Sequence, residues 1–169
     1  SAYMGFTPKF IMHSLHTMVL MPEDSRQKFS QKWHRDPDDK KIVKVFIYMT
    51  DVNDEGDGPF MYVRGSQYGG RWRNIFPQVP PVGSYPPEGR VEKTVSKEDI
   101  KTCFGSSGTI IFCDTSGLHK GGYCTKSRRI MSAATFVSGA SAYKPNFYID
   151  RKIDLTGFSE IGRYALDNE

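Results

Sequence analysis

Trp33-His34-Arg35-Asp36 is the stretch on which the reading of this chain turns. Two metal-capable side chains stand here at i and i+2, and on an extended strand that spacing sends both to the same face. A third candidate, His119 in Thr115-Ser116-Gly117-Leu118-His119, lies 83 positions beyond Asp36. A fold that returns His119 to the first two would assemble two imidazoles and one carboxylate. That is the facial donor set of non-haem Fe(II) oxygenases, which leaves three iron positions open for cosubstrate and oxygen.

The 169 residues suffice for one domain with a core that needs no disulfides. Sixteen Gly and ten Pro, among short runs rich in Val, Ile, Phe and Tyr, point to a strand-dominated fold with many turns and few helices. The net charge of +4 is spread along the chain rather than blocked, so no nucleic-acid partner is called for. Arg71-Trp72-Arg73 interleaves cations with an aromatic, but one such triplet is weak support for such a partner. Cys103, Cys113 and Cys124 are odd in number and lack metal-knuckle spacing, which suits a reduced setting. No run approaches the roughly 18 apolar residues that span a bilayer, and the start has no signal-peptide pattern. The expectation is a cytoplasmic protein that acts on a small molecule, with no membrane partner and an oligomeric state that composition does not address.

Residues 10 to 20 form an apolar run, strand or short helix, holding His13 and His16 as ordinary partly buried histidines. Met21-Pro22-Glu23-Asp24-Ser25 reads as a turn. Lys41 to Asp51 is the clearest strand, and Phe60 to Val63 resumes after a Gly- and Asp-rich turn, as an antiparallel pair would. Residues 68 to 90 form a long loop, either a lid over the site or a surface excursion packed on the barrel. Ser96 is placed to cap a short helix running through Ile100 to Phe104. Gly108 to Asp114 reads as a buried strand, Arg128 to Val137 as the last strong strand, and Ser159 to Leu166 as a closing helix.

Neutral imidazoles and a carboxylate are available to Fe(II) at working pH without special tuning. A dicarboxylate cosubstrate would need its far carboxylate neutralised inside the protein, and arginine does this best because its planar fork pairs bidentately. The order of parts, His-x-Asp, a strand, Gly58-Pro59-Phe60-Met61-Tyr62-Val63-Arg64-Gly65-Ser66, Gly108 to Asp114, His119 and an arginine about ten positions later, resembles the phytanoyl-CoA dioxygenase family. The likeness covers roughly residues 31 to 137. It implies an all-β-dominated double-stranded β-helix, a cupin-like jelly roll with a few short helices, spanning residues 1–169 as one domain. It also implies an Fe(II)- and 2-oxoglutarate-dependent dioxygenase that uses O2, hydroxylates a C–H bond and releases succinate and CO2.

Carried over on matching positions, the resemblance makes His34, Asp36 and His119 the iron ligands and catalytic centre. Arg128 becomes the binder of the far carboxylate of 2-oxoglutarate, favoured by the residues that follow it, with Arg129 as rival because only one of two neighbours can point into the barrel. Phe46 stands where the family often places an aromatic beside the cosubstrate, and equally reads as plain core. Asp36 argues for hydroxylation, since related halogenases leave the carboxylate position to a halide. Three departures are visible: Arg64-Gly65-Ser66-Gln67 replaces the family's Pro-Gly-Ser-His, Thr109 stands where an acid often follows the glycine, and the family's longer helical N-terminal region is lacking. Two other readings stand beside this one. One is a catalytically inactive jelly-roll binding module; the other is a cupin-like metalloenzyme without 2-oxoglutarate, in which Arg128 and Arg129 are surface charges.

Overall fold

The computed structural model describes residues 1–169 except Glu23, Asp24, Val82, Arg151, Asn168 and Glu169. Among the described residues seven strands and two short helices follow one another as β1 (Lys9–Met18), β2 (Val43–Tyr48), β3 (Phe60–Val63), α1 (Arg90–Thr94), β4 (Ile100–Cys103), β5 (Ile110–Asp114), β6 (His119–Lys120), β7 (Arg129–Val137) and α2 (Glu160–Leu166). They form a four-stranded sheet in the order β1-β7-β2-β5 and a three-stranded sheet in the order β4-β3-β6, every pairing antiparallel. From β2 onward the chain passes between the two sheets and back, which makes a jelly roll of the double-stranded β-helix type.

Strand parity decides what fills the barrel. Along β7 the residues Arg129, Met131, Ala133, Thr135 and Val137 are buried, and their neighbours alternate to partial exposure. Register carries the same face across to β2, where Lys44 opposes Thr135, Phe46 opposes Ala133 and Tyr48 opposes Met131. It continues to β5 through Ile111 beside Phe46 and Cys113 beside Lys44. Phe46, Tyr48, Val52, Phe60, Met131 and Ala133 pack there as one apolar cluster. A second cluster, Trp33, Val63, Val91, Val95 and Leu118, takes Trp72, Ile75 and Phe76 against it. The Tyr48 hydroxyl ties the layers together: it donates to the Cys103 carbonyl of β4 at 2.8 Å and accepts from the Phe60 amide of β3 at 2.9 Å.

Several expectations change. Of the run 10 to 20, residues up to Met18 are strand rather than helix, since β1 pairs along β7 from Lys9 to Met18. The strands β2 and β3 are not a pair; the turn between them crosses from one sheet to the other, so each finds its partners elsewhere. No helix runs through Ile100 to Phe104. Lys97–Asp99 is a single 3-10 turn, the Ser96 side chain makes no cap bond, and Ile100–Cys103 pairs with β3 instead, tertiary pairing overriding a local cap signal. The helix before it, α1, had no clear signature. The strand β5 is an edge strand with alternating exposure, and Phe112 on its outer face is 72% exposed, so its continuous apolar run does not mean burial on both sides. The closing helix is present as α2, with the Ser159 side chain accepting from the Gly162 amide at 3.1 Å. The turn expected over 21–25 falls partly on Glu23 and Asp24, outside the described residues. Among the described residues no helix is long and apolar enough to cross a membrane.

Tyr48 is fully buried, so Tyr48→Phe strands the Phe60 amide and the Cys103 carbonyl without water to replace the hydroxyl. Chemical denaturation is expected to show a loss of about 1–3 kcal/mol; a loss within the error of the measurement would mean that the hydroxyl does not tie the sheets.

Candidate metal centre

His34 and His119 face each other as a two-residue antiparallel bridge: the His34 amide donates to the His119 carbonyl at 2.9 Å and the His119 amide donates back at 3.0 Å. Asp36 follows on the same face, and its amide donates to the Thr115 carbonyl at 3.0 Å. All three side chains are buried, and one ligand atom from each lies within 4.8 Å of the others. That spacing suits a single ion with bonds of about 2 Å.

The ring nitrogens are already sorted for ligation. His34 Nδ1 lies 2.8 Å from the Lys32 carbonyl and His119 Nδ1 lies 3.0 Å from the Gly117 carbonyl, so each Nδ1 carries its hydrogen and each Nε2 keeps a free lone pair. Nε2 of His34 is 3.8 Å from Asp36 Oδ1, and Nε2 of His119 is 3.6 Å from Asp36 Oδ2. Gly117 admits no side chain, because a Cβ there would fall 2.2 Å from the Tyr62 hydroxyl oxygen. Asp36 Oδ2 is buried with no partner in hydrogen-bond geometry. It does have the Lys44 ammonium at 2.7 Å, an ion pair by distance though not by angle. A buried carboxylate oxygen short of directed donors, with two imidazole lone pairs beside it, fits a divalent cation.

The local charges follow from this crowding. Burial, then His34, pushes the His119 pKa down to about 3 from 6.5, against the pull of Asp36. Burial lowers that of His34 as well, opposed by Asp36 and the Lys32 carbonyl. For Asp36 burial acts upward, but Lys44, His119 and His34 outweigh it and hold the carboxylate well below its usual range. For Lys44 burial acts downward and Asp36 reverses it, so the amine stays charged.

Arg35, between the two ligands, turns to the opposite face and is 2% exposed. Its Nε donates to the Phe76 carbonyl at 2.8 Å, Nη1 to those of Ser66 and Ser116, and Nη2 to those of Ile75 at 3.0 Å and Trp72 at 3.2 Å. The 68–90 stretch therefore does not stand free as a lid: its first half is pinned to the minor sheet by Trp72, Ile75, Phe76 and this guanidinium. Further on, Tyr85 stacks on His34 with ring centroids 5.7 Å apart, at the edge of a cavity lined also by Lys32, Trp33 and Glu92. Ser66, in the stretch that departs from the family pattern, is fully buried and accepts from the Leu118 amide at 2.7 Å, bracing the segment that delivers His119.

Of the two candidate arginines, Arg128 is exposed and Arg129 is buried at 2% exposure. The preference for Arg128 rested on its sequence neighbours, whereas parity along β7 turns Arg129 inward. Arg129 donates from Nη1 to the Gly58 carbonyl, its Nε has no partner, and no carboxylate among the described residues is within ion-pair distance. Its Nη2 lies beside Gly121, two positions after His119. Phe46 packs on Phe60 at 4.8 Å between centroids, and Phe60 approaches the His119 ring at 5.8 Å, so Phe46 is core one ring removed from the ligands. Lys44 and the Arg35 anchor escaped sequence reasoning. For Lys44 there was a signal: it shares parity with Phe46 and Tyr48, and a charge on the inner side of an apolar strand is unusual.

No protein-family model matches the chain, and no curated protein matches it in sequence. Solved structures do match in fold. EctD from S. alaskensis, described with bound Fe, superposes with a TM-score of 0.56 at 13% identity, covering 95% of this chain and 53% of that one. ThoJ, a non-heme monooxygenase, gives 0.53 at 14% identity over 80% of this chain and 48% of its own. SnoN, a non-heme alpha ketoglutarate dependent epimerase from nogalamycin biosynthesis, gives 0.52 at 16% identity over 82% and 52%. The chain spans about half the length of these structures, and the shared feature is the fold.

Two outcomes test this site. Arg35→Met removes the N–H donors of several main-chain carbonyls, those of Ser66 and Ser116 in buried bonds, and is expected to cost more than about 3 kcal/mol by denaturation, while an exposed control such as Arg128→Met stays within about 0.5 kcal/mol. Acidification of the metal-free protein destabilises it: between 6.5 and about 3 the unfolded chain takes up a proton that folded His119 refuses, so stability falls as pH drops through that window. Protonation of Asp36 adds a further loss below its ordinary 3.8. Urea midpoints from near-neutral pH to about pH 4 should decline, and His119→Gln should flatten the decline; an equal slope in the variant would refute the assignment.

Proposed function

We propose that the chain is an Fe(II)- and 2-oxoglutarate-dependent dioxygenase that hydroxylates an unactivated C–H bond of a small-molecule substrate, in the manner of the phytanoyl-CoA dioxygenase family. The observation that carries this reading is the burial, in one barrel, of a His-Asp-His ligand set together with Arg129, a guanidinium that has no carboxylate of its own. An uncompensated buried cation calls for an anionic ligand, and a bidentate fork suits a carboxylate. The fold likeness to proteins described as iron-bound, monooxygenase or alpha ketoglutarate dependent agrees with it.

In this reading His34, Asp36 and His119 hold Fe(II), which when bound supplies O2 activation coupled to oxidative decarboxylation of 2-oxoglutarate to succinate and CO2. The Lys32 and Gly117 carbonyls keep both imidazoles in the ligating tautomer. Arg129 takes the far carboxylate of the cosubstrate, and Phe60, beside the His119 ring and backed by Phe46, sets apolar surface against the site. Tyr85, half exposed above His34, stands where a substrate enters. Three free cysteines and a ferrous cofactor suit a reducing, cytoplasmic setting.

Incubation with Fe(II), 2-oxoglutarate, O2 and candidate small-molecule substrates should yield succinate together with hydroxylated substrate, and chelation should abolish both. Arg129→Ala should weaken 2-oxoglutarate binding on the order of 10²-fold, whereas Arg128→Ala should leave it within about twofold. Metal-independent binding of 2-oxoglutarate, or binding that survives Arg129→Ala, would sink the reading.

A further inference from the structure

In Val43-Lys44-Val45-Phe46-Ile47-Tyr48, positions 44, 46 and 48 share the inner face, so the strand itself delivers an ammonium into the barrel. The Lys44 side chain is 16% exposed and opposes the buried Thr135. Among the described residues its one ion-pair partner is Asp36, at 2.7 Å from Oδ2, the same oxygen that lies 3.6 Å from His119 Nε2. An ammonium carries three donors and a full charge, and a single carboxylate oxygen is the one acidic partner within ion-pair distance of it among the described residues.

One carboxylate is thus shared by two claimants, the lysine and the position a metal would take. A divalent cation that draws on Asp36 removes the charge that compensates Lys44 and leaves two cations close together in a poorly screened interior, where they repel. An incoming dicarboxylate relieves that repulsion. Arg129 answers one of its charges, and Lys44, released by Asp36, is available to the other.

Building on the Fe(II)/2-oxoglutarate reading above, we propose that Lys44 couples the two binding events: it weakens binding of the metal alone and strengthens binding of the dicarboxylate to the metal-loaded protein. Lys44 holds the Asp36 carboxylate before the metal arrives and pairs with an anionic oxygen of the cosubstrate afterwards. The lysine is a positioning residue for Asp36 and a binding residue for the cosubstrate.

Anaerobic titration calorimetry with Mn(II), followed by 2-oxoglutarate on the Mn(II)-loaded protein, tests this on wild type, Lys44→Met, Lys44→Gln and Lys44→Arg. The neutral variants are expected to bind Mn(II) about 10-fold tighter and 2-oxoglutarate about 10-fold more weakly, within the usual range of coupling between sites. Lys44→Arg, which keeps the charge, should restore both toward wild type, and Lys44→Gln keeps the comparison open if the methionine variant does not fold. Opposite shifts in the two affinities are the signature, because a merely structural lysine would weaken both. Both affinities weakening together, or both staying within about twofold, overturns the proposal. So does Mn(II) binding that appears only once Lys44 is replaced, since the lysine would then be a substitute for the metal rather than its partner. Wild-type protein that binds Mn(II) no better than His34→Ala would instead refute the metal centre itself.

Discussion

Two backbone hydrogen bonds, exchanged between His34 and His119, are the constraint on which the rest of the molecule depends. They join segments far apart in sequence and fix the two imidazoles opposite each other, with ring centroids 4.1 Å apart. Once that bridge is made, strand parity settles the neighbours: Asp36 returns to the ligand face, and Arg35 goes to the other side, where it fastens the 66–76 loop. Three consecutive residues thereby divide between the candidate metal centre and anchorage. The remaining parts, Ser66 under Leu118 and the empty position at Gly117, hold the second half of the bridge in place.

The inward-facing charges, Arg35 and Arg129 buried and Lys44 largely so, differ in how far the protein itself compensates them. Arg35 has carbonyl oxygens for all of its N–H groups, although burial brings its pKa down to about 10. Such a cation is complete and structural. Arg129 has one carbonyl and an unpartnered Nε, and Lys44 has one oxygen of a carboxylate that two imidazoles also face. Those two are incomplete, and the deficit lies on the ligand side of the barrel. Burying an ion is costly, so full compensation marks Arg35 as part of the framework, while Arg129 and Lys44 keep charge that the protein alone answers only in part.

Much of this was legible in the chain. The His-x-Asp spacing, the strands read over 41–51, 60–63 and 128–137, and the helix capped by Ser159 depend on local rules of parity and capping, and each is present, the strands as Val43–Tyr48, Phe60–Val63 and Arg129–Val137. What escaped depends on non-local pairing. Ile100–Cys103 looks helical next to Ser96 but is recruited by β3, and β2 is separated from β3 because the jelly roll sends consecutive strands to different sheets. Phe112 shows that an apolar run does not reveal whether a strand lies at an edge. Arg128 and Arg129 could not be told apart by neighbours alone, whereas the phase of alternation along β7 separates them at once. Lys44 was visible only to someone asking which face each charge would occupy.

The anchoring of Arg35 has an evolutionary consequence. Its acceptors in the 66–76 loop are main-chain oxygens, at Ser66, Trp72, Ile75 and Phe76, so the fastening reads the path of the loop and not its side chains. Exposed positions such as Arg73 and Asn74 can be exchanged without loosening it. Sequence drift on that outer surface is thereby decoupled from the placement of His34 and Asp36, and the loop is free to diversify while the His-Asp-His cluster beneath it keeps its geometry.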